Sequence, residues 1–133
     1  MRFIFLCFIL LCVLSGCTPR SFAGFYYAGQ IISDSITEEL RYVTSYEDLV
    51  EHQESLEKKF HALVDLLLNA GMFCEAHGWR KNPFCGFWAI ELQREIERVA
   101  AIEGAYDLLR QIQKEPLIRL STFEKKQLKS QKN

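Results

Sequence analysis

The sequence carries almost no net charge: 16 lysines and arginines stand against 17 aspartates and glutamates, leaving −1 at neutral pH. Nucleic acid is therefore not an expected partner, because a phosphate backbone calls for a basic face. Familiar catalytic motifs are missing as well. No Gly-x-Ser-x-Gly, His-Glu-x-x-His or glycine-rich phosphate loop occurs. His52 and His61 are nine residues apart, on roughly opposite faces of any helix that holds them. Glu57 and His61, four apart, read as a surface pair rather than a dyad. Neither catalysis nor a cofactor is expected. The chain also lacks internal repeats and low-complexity segments. Its longest apolar run, Phe3 to Leu14, is shorter than the roughly 20 residues a helix needs to cross the hydrocarbon core.

What stands at the N-terminus is an export signal. Met1-Arg2 precedes that apolar run, and Leu14-Ser15-Gly16-Cys17 closes it with small residues, the pattern of a cleaved secretory peptide. Leu14-Ser15-Gly16-Cys17 resembles the bacterial lipobox. The resemblance implies removal of residues 1–16 and a diacylglyceryl thioether on Cys17, usually with a third, amide-linked chain. Two or more acyl chains hold a protein stably on a bilayer. Thr18 follows the anchor, and under enterobacterial-type sorting a residue other than Asp there implies the outer rather than the inner membrane. The expected location is the bacterial cell envelope, facing the periplasm, with the membrane itself as one partner through Cys17.

Without the signal, the chain from Cys17 holds 15 basic and 17 acidic side chains and is long enough for one domain. Its charges are unevenly spread. Eight acidic residues lie between Asp34 and Glu57 against Arg41 alone, whereas the tail from Leu117 carries Arg119, Lys125, Lys126, Lys129 and Lys132 against Glu124. Of five cysteines, Cys7 and Cys12 belong to the signal and Cys17 is the lipid site. Cys74 and Cys85 remain as one candidate disulfide in an oxidising compartment. A loop of that length, once closed, stabilises by about 3 kcal/mol in the chain-entropy model.

The apolar rhythm is helical throughout. Leu49, Gln53, Leu56, Phe60, Leu63 and Leu67 recur at spacings of four and three, and Ile36, Leu40, Val43 and Tyr46 begin the same stripe. This predicts one long helix from Ser33 or Asp34 to about Ala70, with Gly71 as the left-handed residue after its end. Trp88, Leu92, Ile96, Val99, Ile102, Tyr106 and Leu109 predict a second, from about Phe84 to Lys114, stopped or kinked at Pro116. The expected fold is all-α, an antiparallel helical hairpin or small bundle spanning residues 34–115 with a loop at 71–83. Residues 17–33 form an aromatic N-terminal segment and 116–133 a basic tail that is a short helix or frays. Helices of some 35 residues are about 50 Å long, which would hold the loop far from the membrane. Two helices alone leave apolar surface open, so residues 21–33, the tail or a second copy of the chain must cover it. Phe22-Ala23-Gly24-Phe25-Tyr26-Tyr27 has three readings: a short helix across the hairpin base, rings at the lipid headgroup level, or a partner-binding strip.

The loop is the richest segment outside the helices. A Cys74–Cys85 bridge would staple one helix end to the next helix start. Cys74, His77 and Cys85, with Glu75 nearby, also resemble three zinc ligands, but a closed zinc site wants four, and no metal is expected. Aromatic and Arg side chains anchor protein interfaces, which makes Trp79, Arg80 and Phe73 the candidate partner contacts. Cys17, Cys74, Asn82, Pro83 and Cys85 together resemble the small exclusion lipoproteins of conjugative plasmids, over the signal and about a dozen later residues. That resemblance implies an entry-exclusion role; a secretion-accessory role and an immunity-type role are other versions of the same expectation. The functional expectation is a lipid-anchored envelope protein that acts by binding another envelope protein; the rival is a periplasmic small-ligand or metal binder.

Overall fold

The computed structural model describes residues 21–78, 89–130 and 132. Within them lie four helices and no strand: α1, Phe22–Arg41; α2, Tyr46–Ala76; α3, Ala89–Ala100; and α4, Ala105–Ser130. The chain is an all-α small helical bundle.

Helix α1 begins twelve residues earlier than the apolar stripe predicts, because Ser21 caps it. The Ser21 hydroxyl accepts the Gly24 N–H at 3.0 Å, satisfying one of the four orphan amides of a helix start. The Phe22–Tyr27 segment is thus the first turn and a half of a core helix. Its buried face, Phe25, Gly29, Ser33, Ile36 and Leu40, repeats at four and three.

The single long helix expected over 34–70 is two helices. Ser45 takes an extended conformation (φ −142°, ψ 168°), and its hydroxyl accepts the Asp48 N–H at 3.2 Å. Asp48 reaches back to the Thr44 N–H at 2.9 Å and the Thr44 hydroxyl at 2.8 Å, a reciprocal cap. Those two donors hold the Asp48 carboxyl below its ordinary pKa. The apolar rhythm hides this break because Val43, within the turn, still points into the core and is fully buried.

Gly71 does not end α2. The helix runs on to Ala76, and the left-handed residue is Gly78, with φ 72°. Gly71 instead sits in mid-helix against α4, where a Cβ would lie 2.7 Å from the Phe123 ring. The second expected helix is also divided, by Ala101–Gly104, with Gly104 at φ 78°. The break shifts the helical phase: Ala105 is buried, while Tyr106, placed on the apolar stripe by its spacing, is exposed. Pro116 neither stops nor ends α4, which continues to Ser130. An interior proline costs roughly 3 kcal/mol. Packing on both sides offsets it: Ile112 and Pro116 are themselves buried, and Arg119 and Phe123 meet α2 beyond the proline. Residues 116–130 are therefore part of the bundle rather than a frayed tail.

Register gives the topology. Glu39 meets His52 and Ser55, Ser35 meets Lys59, and Phe25 meets Phe73, so α1 and α2 are antiparallel. Tyr46 lies beside Gly104, His61 meets Arg119, and Gly71 meets Phe123, so α2 and α4 are parallel. Two hairpins, α1–α2 and α3–α4, pack side by side, with α1 against α3 and α2 against α4. Ile36, Leu40, Leu49, Leu56, Phe60 and Ile112 belong to the main core; Phe25, Leu66, Ala70 and Cys74 form a second cluster. The start of α1 and the ends of α2 and α4 thus share one end of the bundle. The turns at 42–45 and 101–104 form the other.

Candidate functional site

Among the charged side chains of the described residues, Glu39 is the most enclosed, its side chain 6% exposed between α1 and α2. His52 Nδ1 lies 2.9 Å from Oε1, the Ser55 hydroxyl donates to Oε2 at 3.0 Å, and Lys59 Nζ donates to Oε2 at 2.6 Å. Burial pushes the carboxyl pKa up, but Lys59, His52 and Ser55 together outweigh burial and hold it below its usual value. Serine, histidine and glutamate invite comparison with a hydrolase triad. In such a triad the serine donates to the imidazole. Here Ser55 spends its proton on the carboxylate, and the cluster is an ion pair that locks α1 to α2.

Two arginines make further cross-helix polar contacts. Arg98 of α3 donates to the Val43 carbonyl at 3.0 Å and the Leu40 carbonyl at 2.6 Å, and its Nε pairs with Glu95 at 2.8 Å. It closes the carbonyl end of α1, where a cation is favoured by the helix dipole. Arg119 of α4 bonds Asp65 and faces His61 Nδ1 at 3.0 Å. A guanidinium only donates, so that nitrogen is the acceptor and the ring proton sits on Nε2.

The bundle end made by the two turns carries three exposed tyrosines. Tyr42 is 69%, Tyr106 55% and Tyr46 41% exposed. A cleft of about 530 Å³ is lined by Tyr46, Glu103, Gly104, Asp107, Leu108 and Gln111. Acidic side chains fill the first turns of both helices that start here: Glu47 and Asp48 in α2, Asp107 in α4. Sequence spacing missed this surface because it placed Tyr46 and Tyr106 on buried stripes. Another cleft, about 290 Å³, lies between Glu57, His61, Gln111, Ile112, Lys114 and Glu115; its lining is mostly polar, unlike the apolar pockets that hold small ligands.

Of the residues singled out in the sequence, Cys17, Trp79, Arg80 and Cys85 lie outside the described residues, as do Asn82 and Pro83. Phe73 and Cys74 are described. Cys74 is buried, 3% exposed, within the second core cluster. Phe73 is a half-buried α2 residue rather than an exposed loop contact. Its ring packs on Phe25 at 5.3 Å and on His77 at 4.1 Å, while His77 Nδ1 reaches the Phe73 carbonyl at 2.8 Å. Both residues sit at the end where α1 begins. The 71–78 segment therefore lies beside the start of α1, whereas the hairpin expectation placed it at the far end. The reason is topological: α1 starts beside the C-terminal turns of α2.

Among the described residues no His, Cys, Asp and Glu side chains gather as metal ligands, and no helix is long and apolar enough to cross a membrane. No protein-family model matches the chain, and neither does any curated protein or any solved structure.

Proposed function

We propose that this protein is a lipid-anchored component of the bacterial cell envelope that acts without catalysis, holding another envelope protein on the bundle end opposite its anchor. The observation that carries the reading is the polarity of the fold. Position 17 is four residues upstream of Ser21, a reach of at most about 14 Å, so a lipid there tethers the end where α1 begins. The opposite end then faces away from the bilayer, and it bears Tyr42, Tyr46 and Tyr106 among acidic side chains. Tyrosine supplies large rigid contact area with a polar tip, a combination enriched in interfaces. The acidic rim selects a partner presenting basic side chains. Thr18 favours the outer membrane as the site of anchoring. A bridge between Cys74 and Cys85 belongs to the same reading of an exported chain.

The test has two arms. Intact mass of protein extracted from membranes, with and without reductant and alkylation, is expected to show acyl chains on Cys17 and blocked thiols at Cys74 and Cys85. A photoreactive residue at Tyr106 is expected to give one discrete adduct in cells, and the same residue at Tyr27 none. An unacylated Cys17 defeats the anchoring half of the proposal; an adduct from Tyr27 but not from Tyr106 defeats the docking half.

A further inference from the structure

The two ends of the bundle differ in charge as well as in shape. Because α2 and α4 are parallel and in register, the last turns of α4 stand level with the C-terminus of α2 and the start of α1. Those turns carry Lys125, Lys126 and Lys129, and Lys132 follows; all four are exposed. A spacing of four puts Lys125 and Lys129 on one face of α4. Leu128 flanks that face and is 61% exposed. At the same end of α1, Tyr27 is exposed too. Among the described residues the acidic groups at this level are Glu75 and Glu124, both exposed; Asp65 is paired with Arg119 one turn lower. Among the described residues the lysines therefore outnumber the carboxylates here, whereas the opposite end is acidic.

We infer that this basic end is a second membrane-contact site, which takes the anionic headgroups of phospholipids beside the anchored residue. The inference rests on the lipid-anchored reading and adds to it an orientation and a lipid class. Exposed lysines, an amphipathic tyrosine and an exposed leucine are the side chains that settle at a bilayer interface. A basic cluster held close to an anionic leaflet is attracted over about a Debye length. The contact would stand the bundle upright and keep the acidic, tyrosine-bearing end free, since like charge repels that end from the same surface.

The experiment uses the full lipidated chain, reconstituted into vesicles of phosphatidylcholine alone or of phosphatidylcholine with phosphatidylglycerol. Accessible amines are acylated with a water-soluble reagent and read by mass spectrometry. Lys58, on α2 and 75% exposed, is the internal reference. Lys125, Lys126 and Lys129 are expected to react several-fold more slowly in the phosphatidylglycerol vesicles only. High salt should abolish that protection, and Lys58 should react alike in both. Equal lysine reactivity in the two vesicle types, with the chain acylated and floating on both, overturns this inference alone. A chain that carries no acyl group and does not float overturns the anchored reading and this inference with it. Protection in detergent that grows with protein concentration would assign the surface to a second copy of the chain instead, and also overturns it.

Discussion

Replacing Arg98 with methionine removes three hydrogen bonds while keeping most of the aliphatic stem, so it isolates the polar role of one side chain. Two of those bonds run to the carbonyls of Leu40 and Val43, residues that are fully buried. The Leu40 carbonyl keeps a partner, the Val43 N–H at 3.0 Å; the Val43 carbonyl loses the guanidinium that satisfies it. An unsatisfied buried carbonyl costs about 1–3 kcal/mol, and a charge-assisted bond contributes somewhat more than a neutral one. Glu95, only 15% exposed, loses its ion pair as well. Because Arg98 itself is 41% exposed, water screens part of these losses, and the net cost is about 2 kcal/mol. For a domain of this size that lowers the melting temperature by roughly 8 °C. Urea and thermal unfolding followed by circular dichroism would measure it. Arg94→Met is the control, since Arg94 is 70% exposed and its pairing with Glu91 is loose at 3.6 Å; it should change stability by less than about 0.5 kcal/mol. Arg98→Lys should fall between the two, as a single ammonium cannot span both carbonyls. If Arg98→Met proves as stable as Arg94→Met, the idea that α3 closes the end of α1 is wrong.

Glu39 has a lowered pKa in the fold, so the unfolded chain takes up its proton first as the pH drops. Its contribution is fully present above the usual carboxylate value of about 4.5 and is lost as pH falls through the depressed folded value; urea titrations across that range should show a shallower acid loss in Glu39→Gln than in the parent. Gly71→Ala gains about 1 kcal/mol of helix propensity but drives a Cβ to 2.7 Å from the Phe123 ring. Stability should stay near the parent's, with the gain appearing only in a Phe123→Ala background, and additive effects in the double-mutant cycle would contradict close contact at that point. Gly104→Ala should cost about 1–2 kcal/mol through its left-handed backbone, although Tyr46 leaves room for a methyl at 3.6 Å; an unchanged unfolding midpoint would argue against the turn that divides α3 from α4.

Helix content was legible because period-3.6 apolar spacing reflects burial of one helix face, and that spacing runs through nearly all the described residues. The breaks were only partly legible. Ser45 and Asp48 form a cap whose residue types stand in the sequence, yet Val43 carries the apolar rhythm across the turn and masks it. Gly71 and Gly104 look alike as punctuation. One admits a neighbouring ring and the other a left-handed turn, and which is which depends on what packs against them. Proline at 116 would end an isolated helix, but contacts with α2 on either side carry α4 through it.

The resemblance of Leu14-Ser15-Gly16-Cys17 to a lipobox, the paucity of catalytic motifs and the all-helical character are read from local residue pattern, since each depends on neighbours a few positions away. Tertiary structure alone decided that α2 and α4 are parallel, that Glu39 meets His52, Ser55 and Lys59, and that Phe73 belongs to the same end as the start of α1. Such facts arise from contacts between residues more than a dozen positions apart, and helix periodicity, which repeats every turn, cannot specify which turn of one helix meets which turn of another.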